Sequence, residues 1–205
     1  MRYDSEHKAR TRARLLDEAA ASIRAVGPDG IGVAALMAKA GLTHGGFYAH
    51  FKSKDELIAQ AIARMFDDSR ALFVSRTEGR TPAGGLASYI DAYLSETHRD
   101  RTGHGCPLPC LSGDVARMPK AARESFAAGA AELTALIAGL LERMEVADAD
   151  LAAASIIAEM VGAMALARAV PDRGWSGLIL KASREALKAR LGLAQPAVSS
   201  SGSRR

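Results

Sequence analysis

The chemistry-bearing part of this 205-residue chain begins at Leu36-Met37-Ala38-Lys39-Ala40-Gly41-Leu42-Thr43-His44-Gly45-Gly46-Phe47-Tyr48-Ala49-His50-Phe51-Lys52-Ser53-Lys54. A helix, a Gly-containing turn and a second helix follow in the order of a helix-turn-helix, whose second helix is narrow enough to enter a major groove ~12 Å wide. Gly45 and Gly46 would each cost about 1 kcal/mol relative to Ala in a helix standing alone. They make sense where backbone must approach a partner closely.

A second constellation is His98-Arg99-Asp100-Arg101-Thr102-Gly103-His104-Gly105-Cys106-Pro107-Leu108-Pro109-Cys110. Two His and two Cys are zinc-compatible types, but Cys106 and Cys110 lie four apart around two rigid prolines with no outlying pair, which is no recognised finger or ribbon. A thiol whose pKa is lowered by Arg101 or His104 would sense oxidants or electrophiles. The same His98, His104, Cys106 and Cys110 could serve a thiol- or metal-dependent enzyme. The plain alternative is a proline-shaped turn in which Cys is a small apolar residue. The chain has no phosphate-binding Gly loop, nucleophile elbow or H-E-x-x-H pair, and no cofactor is implied.

The elements that must position these residues are helical. The chain holds 42 Ala and only ten aromatic residues, which favours helices packed through small side chains over sheets. Leu15, Leu16, Ala19, Ala20, Ile23 and Val26 share one face of a helix from about Ser5 to Val26, closed by Gly27-Pro28-Asp29-Gly30. A short helix, Val33 to Ala40, stops at Gly41. Thr43 is the expected N-cap of a very short third helix to Phe51, with Phe47 and Phe51 as core. Ser53 caps the fourth, with Glu56 completing a capping box. Helices are expected around Leu86 to Leu94, from Pro119 to about Met144, from Asp148 to Val170 and from Trp175 to Leu191, with breaks at Thr77 to Pro82 and Arg99 to Pro109. The apolar stretch Leu151 to Ala167 is interrupted by Ser155 and Glu159 and is short for a bilayer span of ~20 residues. It reads as a buried or interface helix, and no membrane partner is expected. Residues 195–205 are expected to be a disordered tail.

The run GLTHGGFYAHFKSKDEL, preceded by LMAKA, resembles the DNA-binding signature of the TetR family of transcriptional regulators. The resemblance implies an all-α chain with a helix-turn-helix domain at 1–54 and a ligand-binding and dimerisation domain at 55–194. It also implies that Thr43, His44, Gly45 and Gly46 open the recognition helix, with His44 touching a base edge, and that Tyr48, His50 and Lys54 meet phosphates. Lys39 and the cluster Lys8, Arg10, Arg12 and Arg14 could reach the DNA backbone or be solvated surface charge. The family usually opens its second helix with a capping Ser or Thr; this chain has Gly32 there.

Charge agrees with that placement. Residues 1–54 hold nine basic and five acidic residues, and the remainder holds 18 of each sign, so the whole net charge of +4 lies in the first quarter. A polyanion partner or a solvated basic face would each account for this. The N-terminus lacks a signal-peptide pattern, which makes the cytoplasm the expected location.

The family resemblance further implies a homodimer through helices 148–170 and 175–191, palindromic double-stranded operator DNA, and release by a small effector. Met65, Phe66, Phe73, Tyr89, Tyr93, Cys106, Cys110, Phe126, Met160, Met164 and Trp175 are the candidate pocket residues, each individually more often plain core. An all-helical protein that acts through protein partners stays open beside the regulator and the enzyme.

Overall fold

The computed structural model describes residues 2–28 and 30–193, and every regular element among them is helical. The tail expected at 195–205 lies outside the described residues.

Helix α1 (Arg2–Val26) buries Leu15, Ala19, Ala20 and Ile23 completely, each Leu or Ile contributing about 1.5–3 kcal/mol by leaving water. Gly27 ends it at φ +79, a conformation that costs L-residues with a side chain but not glycine. Helix α2 (Val33–Lys39) starts at Gly32 with no side-chain cap. It ends in a Schellman turn: Gly41, at φ +71, donates to Ala38 O and Leu42 N donates to Met37 O at 2.9 Å.

The very short third helix is a 3-10 helix, His44–Ala49, two residues shorter at its end than the expected limit of Phe51. Gly46 N donates to Thr43 O, and His50 N to Phe47 O, the tighter i to i+3 pattern of short segments. Two adjacent glycines remove the propensity that would widen it. Thr43 stands at the N-cap position without a side-chain cap bond. Phe47 and Phe51 are buried as expected, 5.6 Å apart.

Helix α3 (Lys54–Thr77) is the central element. Ser53 Oγ accepts from Glu56 N at 3.1 Å while Glu56 accepts from Lys52 N, a variant of the expected capping box displaced by one residue. One flank of α3 packs on α1, and the other on α4 (Pro82–Tyr93) and α7 (Lys120–Glu142). Phe66 lies against Gly129 of α7, where a Cβ would stand 2.2 Å from the ring. Helices α8 (Ala149–Ala169) and α9 (Arg173–Arg190) complete the stack.

The expected break at Arg99 to Pro109 is built from short helices instead: α5 (Glu96–Asp100), a 3-10 turn Thr102–His104, and α6 (Pro107–Leu111). Pro107 is compatible because the first turn of a helix needs no donor from it. Pro119 stands just before α7 instead of inside its first turn. Helices α7 and α8 are both long and apolar enough to cross a membrane, more than the stretch 151–167 alone suggested. Helix α8 packs between α7 and α9, and its Arg168 donates to His98 O at 2.9 Å while Glu159 pairs with Arg190.

Candidate functional site

The amino-terminal face presents the groups its sequence promised, with different degrees of freedom. Tyr48 projects from the 3-10 turn with 68% of its surface exposed. Lys54 is exposed in the first turn of α3, where free helix N–H groups and its ammonium can meet one phosphate together. Gly45 is open to solvent, with nothing within 4 Å of its Cβ position, and Gly46 rests on Met37 and Thr43. His44 contributes the first backbone of the turn. His50 is half-buried; its Nδ1 has no hydrogen-bond partner among the described residues, and burial, then Lys8 and Arg12, lower its pKa. Lys39 is drawn towards Glu18 at 3.8 Å, a weak, exposed pair.

Arg12 turns out to hold the fold. Its guanidinium lies 5.0 Å from the Phe51 ring centroid, bonds Gln60, and donates to His50 O at 3.4 Å. Arg14 reaches Ala40 O.

Behind this face sits a junction that the sequence reading missed. Arg24 is buried on α1, with 3% of its side chain exposed, and donates to Asp68 of α3 at 2.8 Å. It also reaches Met65 O and, in the turn after α5, Gly103 O at 3.5 Å. Asp68 accepts from Arg64 as well, and Arg64 from α3 bridges back to Asp17 of α1. The available signal was Arg24 falling four residues after Ala20, in phase with the apolar stripe.

Asp68 also lines a cleft of 930 Å³ between α3, α4, the turns around α5, and the end of α9. Its buried or half-buried liners include Ser69, Tyr89, Tyr93, His98 and Cys106; Arg76, Arg80, Arg101 and Asp91 are exposed liners. Of the expected pocket residues, only Tyr89, Tyr93 and Cys106 line it. Phe73 stacks edge-on against Tyr89, and Phe66 packs on Phe126 at 5.8 Å. Met65, Met160 and Met164 are fully buried in the core, whereas Trp175 is 59% exposed. The missed liners include polar residues, Asp68, Ser69 and Arg76 on α3, Arg80 just after it, and Ser88 and Asp91 on α4, which an apolar-residue criterion passes over.

Hydrogen bonding fixes the state of the His/Cys constellation. Cys106 N donates to His98 Nε2 at 3.2 Å, so Nδ1 bears the proton and donates to Tyr93 O at 2.7 Å. Both nitrogens are used, and burial lowers the pKa of this neutral imidazole. A Cβ on Gly105 would lie 2.6 Å from Arg168 and 3.0 Å from His98 Nε2, so glycine is what permits this latch. Burial raises the pKa of Cys106 and pushes Cys110 up to about 11, outweighing Arg168 and Arg24. Both are therefore thiols at neutral pH, which agrees with the plain reading of a proline-shaped turn and not with the alternative of activation by Arg101 or His104. Cys110 donates to Pro107 O at 3.2 Å. Among the described residues, no three His, Cys, Asp or Glu side chains come together to hold a metal.

Two helix faces remain uncovered. On α8, Leu151, Ala154, Ala158, Gly162 and Leu166 are exposed; on α9, Trp175, Leu178, Ala182 and Ala186 are. Ala163, Leu187 and much of Ile179 turn inward to the core instead of joining that face.

Residues 15–61 match the family model described as bacterial regulatory proteins, tetR family. The fold is similar to a TetR transcriptional regulator from Chloroflexus aurantiacus, with a TM-score of 0.79 and 26% identity over 91% of this chain and 96% of that one. It is also similar to the reduced form of Escherichia coli NemR (0.76; 21% identity; 87% and 96% covered). A TetR-family regulator from Agrobacterium tumefaciens scores 0.75 at 21% identity, with 87% and 98% covered. No curated protein sequence matches the chain significantly.

Proposed function

The chain belongs to the TetR family of transcriptional regulators, and from that premise we propose that it is a cytoplasmic repressor that binds palindromic operator DNA as a homodimer and lets go when a small effector enters the cleft. Residues 1–54 form the reading head, and 55–194 the sensing and dimerising part. Thr43, His44, Gly45 and Gly46 meet the groove. Tyr48, His50 and Lys54 meet phosphates, with Lys39 at the edge of that set.

The observation that carries this reading is the shared use of Asp68. One carboxylate lines the cleft and holds the buried Arg24 of the reading head. An occupant that shifts α3 at Asp68 must alter how α1 sits on it. Release is then a population shift: the effector binds the form with wrongly spaced heads more tightly and draws the dimer into it. The uncovered faces of α8 and α9 support the dimer, since small residues flanked by Leu and Trp allow two helices to approach closely. A two-fold axis there sets the two turns to read half-sites about one DNA turn, ~34 Å, apart.

Thiol sensing through Cys106 and Cys110 is not favoured, because burial holds both sulfurs protonated and the thiolate is the reactive form. An enzyme built on His98 is disfavoured for a related reason, both ring nitrogens being engaged.

The test is selection of bound genomic fragments followed by affinity against salt. A palindrome and a steep fall with salt are expected, with Tyr48→Ala and Lys54→Ala each weakening all sequences and only Lys54→Ala, which removes a charge, reducing the slope by about one phosphate equivalent, ~0.9. His44→Ala should change base preference. Equal losses for His44→Ala on every sequence would remove its reading role, and salt-insensitive binding would remove the regulator reading.

A further inference from the structure

Two cations of α1 flank His50 at the end of the 3-10 turn, and the fold uses only one of them. Arg12 donates to His50 O at 3.4 Å, bonds Gln60 of α3 and lies over the Phe51 ring. Its guanidinium is spent on holding α1 to the turn. Lys8 stands one helical turn earlier, and residues four apart share a helix face. The charges of Lys8 and Arg12 both bear on the His50 ring, so Lys8 lies on the His50 side of α1. It is exposed, and no carboxylate pairs with it among the described residues.

The His50 ring is asymmetric. Its Nδ1 is buried with no partner among the described residues, which leaves Nε2 as the nitrogen open to solvent. A phosphate oxygen only accepts hydrogen bonds, so the ring meets one through a protonated Nε2. Protonating Nδ1 as well would put a charged donor in a buried position without an acceptor. Burial, then Lys8 and Arg12, accordingly hold the pKa below its ordinary 6.5. Among the described residues no carboxylate faces the ring to offset the two cations, and α3 brings the neutral Gln60 to this corner. At neutral pH His50 is a donor without charge.

Resting on the DNA-binding reading above, we infer that Lys8 and His50 grip one backbone phosphate together, His50 donating from Nε2 as a neutral imidazole and Lys8 supplying the charge. The two contacts leave different signatures. A cation on a phosphate releases a counterion and appears in the salt dependence, whereas a neutral donor adds affinity without changing that slope. Neither reads bases, so both act on every sequence.

The test is duplex binding by the full chain across salt and pH, using the selected genomic fragment and a scrambled duplex of the same length. Lys8→Ala should flatten the salt slope by about one phosphate equivalent, ~0.9, on both duplexes. His50→Ala should weaken binding about tenfold with the slope unchanged, and His50→Gln, whose amide donates from a similar reach, should recover most of that loss. Because the two side chains share one phosphate, the double variant Lys8→Ala, His50→Ala should lose less than the single losses combined. From pH 8 to 6 wild type should gain no more affinity than His50→Gln, whereas a contact made by imidazolium would add close to tenfold per pH unit. Urea midpoints of each variant identify any loss that comes from unfolding, and Lys8, being exposed, is replaced without disturbing the core. An unchanged slope in Lys8→Ala, a flattened slope in His50→Gln, additive losses in the double variant, or a His50-dependent gain at low pH overturns the inference. A chain that binds neither duplex defeats the regulator reading itself, and a chain that binds both with its slope intact in Lys8→Ala defeats this inference alone.

Discussion

Replacing Asp68 by Ala strands a buried cation, whereas replacing its partner Arg24 by Met strands nothing, and the two changes should therefore have unequal costs. Arg24 keeps 3% of its side chain exposed, and its Nε has no partner among the described residues. Without Asp68 its guanidinium retains two long bonds, to Met65 O at 3.4 Å and Gly103 O at 3.5 Å. Two unit charges ~4 Å apart at an effective dielectric near 20 attract by about 4 kcal/mol. Asp68 is 39% exposed, so solvent screening leaves about 2 kcal/mol as the expected loss for Asp68→Ala. In Arg24→Met, Asp68 keeps Arg64 at 2.7 Å and the Met side chain fills the volume of the arginine stem, for a loss under about 1 kcal/mol. The double variant should be more stable than Asp68→Ala, because the stranded charge is gone. Urea denaturation reads this as midpoint shifts at constant slope. An Arg24→Met loss equal to that of Asp68→Ala, or additive losses in the double variant, would refute the account of this junction. In duplex-release assays with a cleft-binding ligand, both single variants should show a weaker response, since each cuts the link between α1 and the cleft.

Gly129→Ala should destabilise by about 1–3 kcal/mol through overpacking, because the new Cβ meets the Phe66 ring. Gly139→Ala on the same helix meets nothing within 4 Å and should stabilise by up to about 1 kcal/mol; thermal melts of the pair check both signs. The pKa of His98 is lowered in the folded state, so the unfolded chain takes up a proton first as pH falls below its ordinary value of 6.5. Its contribution is thus fully present above that pH and is lost as pH falls through the lowered folded value. Urea midpoints measured from pH 7.5 to 5 should fall, and that part of the slope should vanish in His98→Gln. Leu166→Asp, on the uncovered face of α8, should weaken self-association at least about tenfold, and sedimentation showing an unchanged dimer would remove α8 from the interface.

The local features of this chain were legible from its residues because short-range physics decides them. Gly41 stops α2 since it accepts a positive φ, Ser53 starts α3 since its hydroxyl accepts the Glu56 N–H, and the spacing of Leu15, Ala19 and Ile23 fixes the inner face of α1. The helix-turn-helix order and its basic excess belong to the same class. What only the tertiary structure decided are pairings across long separations. Arg24 and Asp68 lie 44 residues apart and Arg168 and His98 70 apart, and no periodicity announces that a charged residue will be buried against a particular partner. The same reason explains the pocket. Hydrophobicity marks residues that leave water but not which neighbours they leave it for, so Met160 and Met164 went to the core while exposed arginines came to line the cleft. The cysteines show the limit most plainly: their reactivity depended on burial and local field, which the sequence names only as possibilities and the fold resolves as two protonated thiols.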